Sequence, residues 1–194
     1  MNKDWTVLLI GGSGATGKSK LARQLAEYYK IPQTEADDIR IVLQSVLDNT
    51  SNPDLFTFLT TPDYLEKFGI DHLVQKLFDV GQEVWKPLNT LIDKHIACNE
   101  PVIFEGDSII PNLLVQTNQD KIKTIFLYDD KENLKKRELE RNRNEGSMDL
   151  ADRQAEFSFE YGQKLKEQAE KNGFATLKAS PIETLFQRVL EVLD

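Results

Sequence analysis

A lone cysteine, Cys98, excludes an intrachain disulfide framework, and the two histidines, His72 and His95, stand at no metal-ligand spacing. No apolar run approaches the ~20 residues that a bilayer-spanning helix requires, and the opening MNKDWTVLLIGG lacks the long apolar region of a signal peptide. A cytoplasmic location and no membrane partner are expected. Basic residues are few: 24 Lys and Arg stand against 32 Asp and Glu, a formal charge of −8. That balance argues against nucleic-acid binding through a broad basic surface and leaves room for a local positive pocket. Repeats, low-complexity tracts and Pro/Gly/Ser-rich linkers are also missing, so the 194 residues are expected to form one α/β domain, 1–194.

What is present is concentrated early. Gly12, Ser13, Gly14, Ala15, Thr16, Gly17, Lys18 and Ser19 fit the Walker A pattern of Gly, four residues, Gly-Lys-Ser at every fixed position. Val7, Leu8, Leu9 and Ile10 run into it as a β-rich stretch, and Leu21 and Leu25 follow at helical spacing, which gives the strand, loop and helix that the motif requires. Glycines at 11, 12, 14 and 17 free the backbone so that successive N–H groups can curl around phosphate oxygens at a helix N-terminus. The guest expected is a triphosphate with Mg2+, cradled by residues 12–19 and Lys20. Lys18 then reaches the β- and γ-phosphates, and the Ser19 hydroxyl ligates the metal.

The following segments read as a scaffold that brings polar groups to the same crevice, because ligands of open parallel sheets collect beyond the carboxyl ends of the strands. Gln33 to Ala36 is expected as a second strand leading to Asp37-Asp38-Ile39-Arg40. Asp37 can orient or deprotonate an acceptor hydroxyl and Arg40 can hold an anionic acceptor, while the plainer reading makes Asp37 a helix N-cap. Residues 48–98, turn-rich to Pro62 and helical from about Tyr64, read as an acceptor-site insertion that Lys86-Pro87 kinks or divides. Val102-Ile103-Phe104 is a further strand ending at Glu105, Gly106 and Asp107. An acid there binds the metal through water or contacts the acceptor, with Gly106 allowing close approach of substrate. Lys123 to Tyr128 supplies a fourth strand. Arg137 and Arg141, four apart on one helical face, lead with Arg143 into a lid over 137–153, in which Arg141 acts at the transferring phosphoryl and Arg137 and Arg143 bind substrate. Arg153 is a further candidate arginine on the helix from Ala151 to about Asn172. After Gly173, Phe174 to Leu177 forms a fifth strand, and the loop from Lys178 to Pro181 is placed where an adenine lodges.

On IGGSGATGKS (10–19), ADDIR (36–40), VIFEGDSIIP (102–111) and the helix DRQAEFSFEYGQKLKEQAEKNGF (152–174), the chain resembles P-loop small-molecule kinases of the nucleotide-kinase-like group. Within that group it looks most like the 2-phosphoglycerate kinase-like proteins. The resemblance implies a three-layer α/β/α fold with a five-stranded parallel sheet in the order 2-3-1-4-5, and Mg-ATP as phosphoryl donor. It also implies a small-molecule acceptor, 2-phosphoglycerate-like or another metabolite, that takes the γ-phosphoryl on a hydroxyl or phosphate near Asp37, Arg40 and Glu105. Two rival classes share the P-loop. A P-loop ATPase or GTPase switch needs a water-positioning residue, and the Asn-Lys-x-Asp stretch that accompanies GTP specificity is missing here; a nucleotide-binding regulator needs no acceptor.

Overall fold

The computed structural model describes residues 4–61, 63–115, 117, 119–141 and 148–193. The segment 142–147, which holds Arg143 and the middle of the expected lid, lies outside the described residues.

The strands are β1 (Val7–Gly12), β2 (Gln33–Glu35), β3 (Val102–Gly106), β4 (Ile122–Tyr128) and β5 (Ala175–Lys178). They form one sheet in the order β2-β3-β1-β4-β5, and every pairing is parallel. The helices are α1 (Lys18–Tyr29), α2 (Ala36–Val46), α3 (Pro53–Thr60), α4 (Tyr64–Lys67), α5 (Ile70–Cys98), α6 (Pro111–Leu114), α7 (Lys131–Arg141), α8 (Met148–Lys171) and α9 (Leu185–Leu193).

Strand β1 is buried along its whole length, as a central parallel strand covered on both faces must be, and its side chains alternate between two cores. Leu8 and Ile10 join Leu21 and Leu25 of α1 and Leu185 and Val189 of α9 on one face. Val7 and Leu9 join Val80, Val84, Leu88 and Ile92 of α5 on the other. These layers make a three-layer α/β/α fold. A third apolar cluster ties α4 and α5 to α8 through Leu65, Leu73, Phe78, Tyr161 and Leu165, and stands beside the sheet.

Three local expectations are corrected. Helix α5 runs unbroken through Pro87. Its buried residues Val80, Val84, Leu88 and Ile92 keep one apolar stripe across the proline, so packing outweighs the missing N–H. Helix α2 begins at Ala36 with Glu35 at its N-cap position, so Asp37 sits in the first turn and is not the cap. Helix α8 starts at Met148, three residues earlier than the periodicity from Ala151 suggests. Among the described residues, no helix is long and apolar enough to cross a membrane.

Candidate active site

The loop between β1 and α1 is held by its own hydrogen bonds. Thr16 Oγ1 donates to the Ser13 carbonyl at 2.7 Å, and Lys18 Nζ donates to the same carbonyl at 2.9 Å. Gly12 and Gly17 occupy left-handed or positive-φ conformations (φ 145° and 84°), where a side chain is strained. Gly14 does not share that conformation. A Cβ there would stand 3.0 Å from Ser158 Oγ, so its smallness serves packing against α8, and the left-handed turn falls instead on Ala15, with φ 56°. Helix α1 has no side-chain cap and no acid in its first turn, which leaves its amino-terminal N–H groups and its positive dipole end directed at the loop.

The second strand end of importance is that of β3. Glu105 lies two residues after Ile103 and in register with Ile10, both of which face α1, so its carboxylate points toward the start of that helix. It is only 2% exposed, and its Oε1 has no hydrogen-bond partner. Burial pushes the Glu105 carboxyl above its ordinary range. The Ser19 hydroxyl beside it and the Lys18 ammonium act in the opposite direction. A buried carboxylate with an orphaned oxygen next to the Walker A hydroxyl is the donor set that suits Mg2+, taken directly by Ser19 and directly or through water by Glu105.

Gly106 lines the cavity between the P-loop and α2, and it serves packing as well. A Cβ on it would stand 2.7 Å from the Cβ of Ala36, so the missing side chain lets the start of α2 lie against the end of β3. That contact brings Asp37 to Asp107. Burial first, and Asp107 second, raise the Asp37 carboxyl from 3.8 to about 6, against the pull of Arg40 and Lys18. Asp37 and Arg40 form an ion pair at 3.4 Å, and Asp37 Oδ1 has no hydrogen bond.

All these groups open onto one cavity of about 480 Å³, lined by the P-loop residues Gly14 to Lys20 except Thr16, by Glu35, Asp37, Arg40, Glu105 and Asp107, and by Glu138 and Arg141 of α7. Its far wall consists of Phe58, Tyr64 and Leu77 from the helices after α2, with Gln154, Phe157 and Tyr161 from α8. Periodicity along the sequence did not mark these wall residues. Phe58 and Phe157 alternate with core positions on their own helices, and only the docking of α3 and α4 on α8 turns them to a shared space.

The two arginines of α7 part company. Arg141 reaches the cavity, where it opposes the burial-driven rise of the Glu138 carboxyl. Arg137, one turn earlier, goes to the other side of the P-loop: its Nε donates to the Ala15 carbonyl at 2.5 Å, its Nη1 to Ser180 Oγ at 3.2 Å, and its Nη2 to Asp129. The Asp129 side chain is fully buried and also accepts from Ser180 at 2.6 Å and Asn133 at 3.0 Å. Arg137 thereby borders a second hollow with Ser180, Pro181 and Ile182, and Ile182 comes within 2.9 Å of where a Gly17 Cβ would be. Asn133, Lys136, Glu140 and Lys178 also line this hollow, in which the expected adenine loop from Lys178 to Pro181 takes part. Arg153 is committed elsewhere, donating to the carbonyls of Leu65 at 2.6 Å and Phe68 at 3.1 Å, and so ties α8 to α4. His72 stacks near Phe68, and His95 Nδ1 meets the Glu100 carbonyl; neither approaches the cavity.

Among solved structures, a gluconokinase from Sinorhizobium meliloti superposes with a TM-score of 0.55 at 14% identity, over 99% of this chain and 93% of that one. A shikimate kinase from Acinetobacter baumannii in complex with shikimate gives 0.54 at 15% identity, over 98% and 94%. One from Bacteroides thetaiotaomicron gives 0.50 at 16%, over 97% and 98%. No family model matches the sequence, and no curated protein matches it. At these identities the likeness is one of fold, which this chain shares with those structures over essentially its whole length.

Proposed function

We propose that the protein is an ATP-dependent small-molecule kinase that moves the γ-phosphoryl of Mg-ATP to a hydroxyl of its acceptor. The observation that carries this reading is the single cavity in which the P-loop and the Asp37–Arg40 pair face one another. The P-loop amides and Lys18 hold the β- and γ-phosphates, Ser19 and Glu105 hold Mg2+, and the base lies between Arg137 and the Pro181-Ile182 loop. Held there, Mg2+ would supply positive charge to offset that of the phosphates. The acceptor O–H is oriented by Asp37. Its oxygen forms the new bond to γ-phosphorus as the bond to the β-phosphate oxygen breaks, its proton passes to Asp37, and ADP leaves. Arg141 supports the charge on the transferring group from α7, and with 142–147 and Arg143 it belongs to the lid proposed over 137–153.

The reading extends to the whole chain as one kinase domain, with residues 48–98 as the acceptor wall, and Phe58, Tyr64 and Leu77 on the cavity support that division. The gluconokinase and shikimate kinases that share the fold support hydroxylated metabolites as the acceptor class. The 2-phosphoglycerate-like acceptor implied by sequence resemblance is an anionic member of that class, which the acids Asp37 and Asp107 on the cavity disfavour.

The test is ADP release from purified protein with Mg-ATP and a panel of hydroxylated compounds. Stimulation by an acceptor, lost in Lys18→Ala and Asp37→Asn, is the expected result. Turnover indifferent to every acceptor would make the protein an ATPase, and tight nucleotide binding without turnover would make it a regulator.

A further inference from the structure

The charge balance and wall of the cavity restrict what the acceptor can be. Among the described residues, five carboxylates line it, Glu35, Asp37, Glu105, Asp107 and Glu138, against four cations, Lys18, Lys20, Arg40 and Arg141. Lys18 and Lys20 belong to the phosphate loop, and Arg141 faces Glu138. The acceptor half is left with Asp37, Asp107 and Arg40, and Arg40 is already paired with Asp37. Burial first and Asp107 second push the Asp37 carboxyl upward against Arg40 and Lys18, so both desolvation and a neighbouring acid act at that point. A carboxylate or phosphate entering there would face two acids and a guanidinium already engaged, a placement that like-charge repulsion and desolvation both penalise.

The opposite wall is apolar and aromatic. Phe58 and Tyr64 meet edge to face at 5.0 Å, and Phe157 lies 6.2 Å from Phe58 and 6.4 Å from Tyr64. Tyr64 Oη and Gln154 Oε1, 3.4 Å apart, are polar groups set into this wall, and Ser158 and Tyr161 of α8 line the cavity beside them. Rings arranged this way present an apolar face with negative π density, which favours hydrocarbon, other rings and ammonium groups.

We infer that the acceptor is an alcohol with no anionic group, uncharged or amine-bearing, that lays an apolar face against Phe58, Tyr64 and Phe157 while its hydroxyl meets Asp37. This rests on the phosphotransfer reading for the reaction and on the cavity alone for the charge preference. Such an alcohol carries its only phosphate after the reaction, so the enzyme is expected to act before any other phosphorylation of its substrate.

Two matched probe series separate the two claims: L-phenylalaninol, 3-phenylpropane-1,2-diol and 3-phenyllactate; and glucosamine, glucose and gluconate. Binding to the ADP-Mg complex is measured by calorimetry at low salt, and phosphorylation by ADP release. Within each series the amine and the neutral compound should bind about tenfold or more tightly than the acid, and the gap should narrow at high salt. Asp107→Asn should reduce the preference for the amine over the acid several-fold. Phe58→Leu should weaken the phenyl series more than the sugars. Equal or tighter binding of the acids, or no binding by any of the six, overturns the inference. If the binding order is as stated but no probe or related alcohol is phosphorylated, the phosphotransfer reading fails and the charge preference stands. If an acid is the preferred phosphoryl acceptor, phosphotransfer stands and this inference falls.

Discussion

Arg40 Nη2 stands 3.4 Å from Asp37 Oδ1, one helical turn along α2, in an ion pair that leaves the carboxylate oxygen without a hydrogen bond. An arginine held this way lowers the Asp37 carboxyl without quenching it, and its effect is smaller than those of burial and Asp107.

The pH dependence follows from this balance. With Asp37 at about 6, the acceptor-side base is lost as pH falls through 6, so log kcat/KM should descend on the acid side with a midpoint near that value. Arg40→Ala should move the midpoint up and Asp107→Asn should move it down. The stability effect has the opposite sign to the usual paired carboxylate. The folded carboxyl binds its proton more tightly than the unfolded one at 3.8, so this contribution is full below 3.8 and lost as pH rises through about 6. Relative to Asp37→Asn, the native protein should lose melting temperature across that window. A flat difference in melting temperature between pH 4 and 7, with no acid limb in the rate, would contradict it.

Asp37→Asn at pH 8 should reduce acceptor phosphorylation by about 10²–10⁴-fold with nucleotide affinity retained. Since Asp38 shares the first turn of α2, the double variant with Asp38→Asn is measured alongside.

Glu105→Gln separates stability from function. Burial raises the Glu105 carboxyl in a site that is 2% exposed, so holding it as a carboxylate costs stability there. The amide should therefore melt at the same or a higher temperature, while the apparent affinity for Mg2+ in turnover falls about 10–100-fold. A lower melting temperature with unchanged Mg2+ dependence would place Glu105 in the structural framework alone.

The arginines of α7 should give different kinetic signatures. Arg137→Ala removes hydrogen bonds to Ala15, Ser180 and the buried Asp129, so it should cost about 1–3 kcal/mol of stability and raise the KM for ATP. Arg141→Ala, exposed at the cavity, should leave the melting temperature near native and lower kcat about 10²–10³-fold. Exchange of the two signatures would reverse their assigned sides of the P-loop.

The seam between the P-loop and α8 offers a double-mutant test. A Cβ on Gly162 would stand 2.9 Å from Ser13 Oγ, which is buried without a hydrogen-bond partner. Gly162→Ala should gain up to about 1 kcal/mol in helix propensity and lose about 1–3 kcal/mol to overpacking, with weaker ATP binding as the loop shifts. Ser13→Ala, which removes the clashing atom, should restore both in the double variant; additivity of the two changes would deny the contact.

The Walker A loop, the alternation of strands and helices, and the acids at the ends of β2 and β3 are legible in the sequence because each is local. Glycine spacing, a continuous apolar run such as Val7 to Ile10, and an aspartate just after a strand depend on residues a few positions apart. The strand order 2-3-1-4-5 was available only through resemblance, since no local pattern states which strands are neighbours. Tertiary packing decided the rest. It carried α5 through Pro87, because the buried stripe from Val80 to Ile92 outweighs one lost hydrogen bond. It made Gly106 a seat for Ala36 and so set Asp37 against Asp107. Arg137 and Arg141 share a helical face by spacing, yet a buried Asp129 and the Ser180 loop hold one, and the cavity receives the other. The aromatic wall belongs to this second kind of information: Phe58, Tyr64 and Phe157 lie far apart in the chain, and only the docking of α3, α4 and α8 brings their rings together.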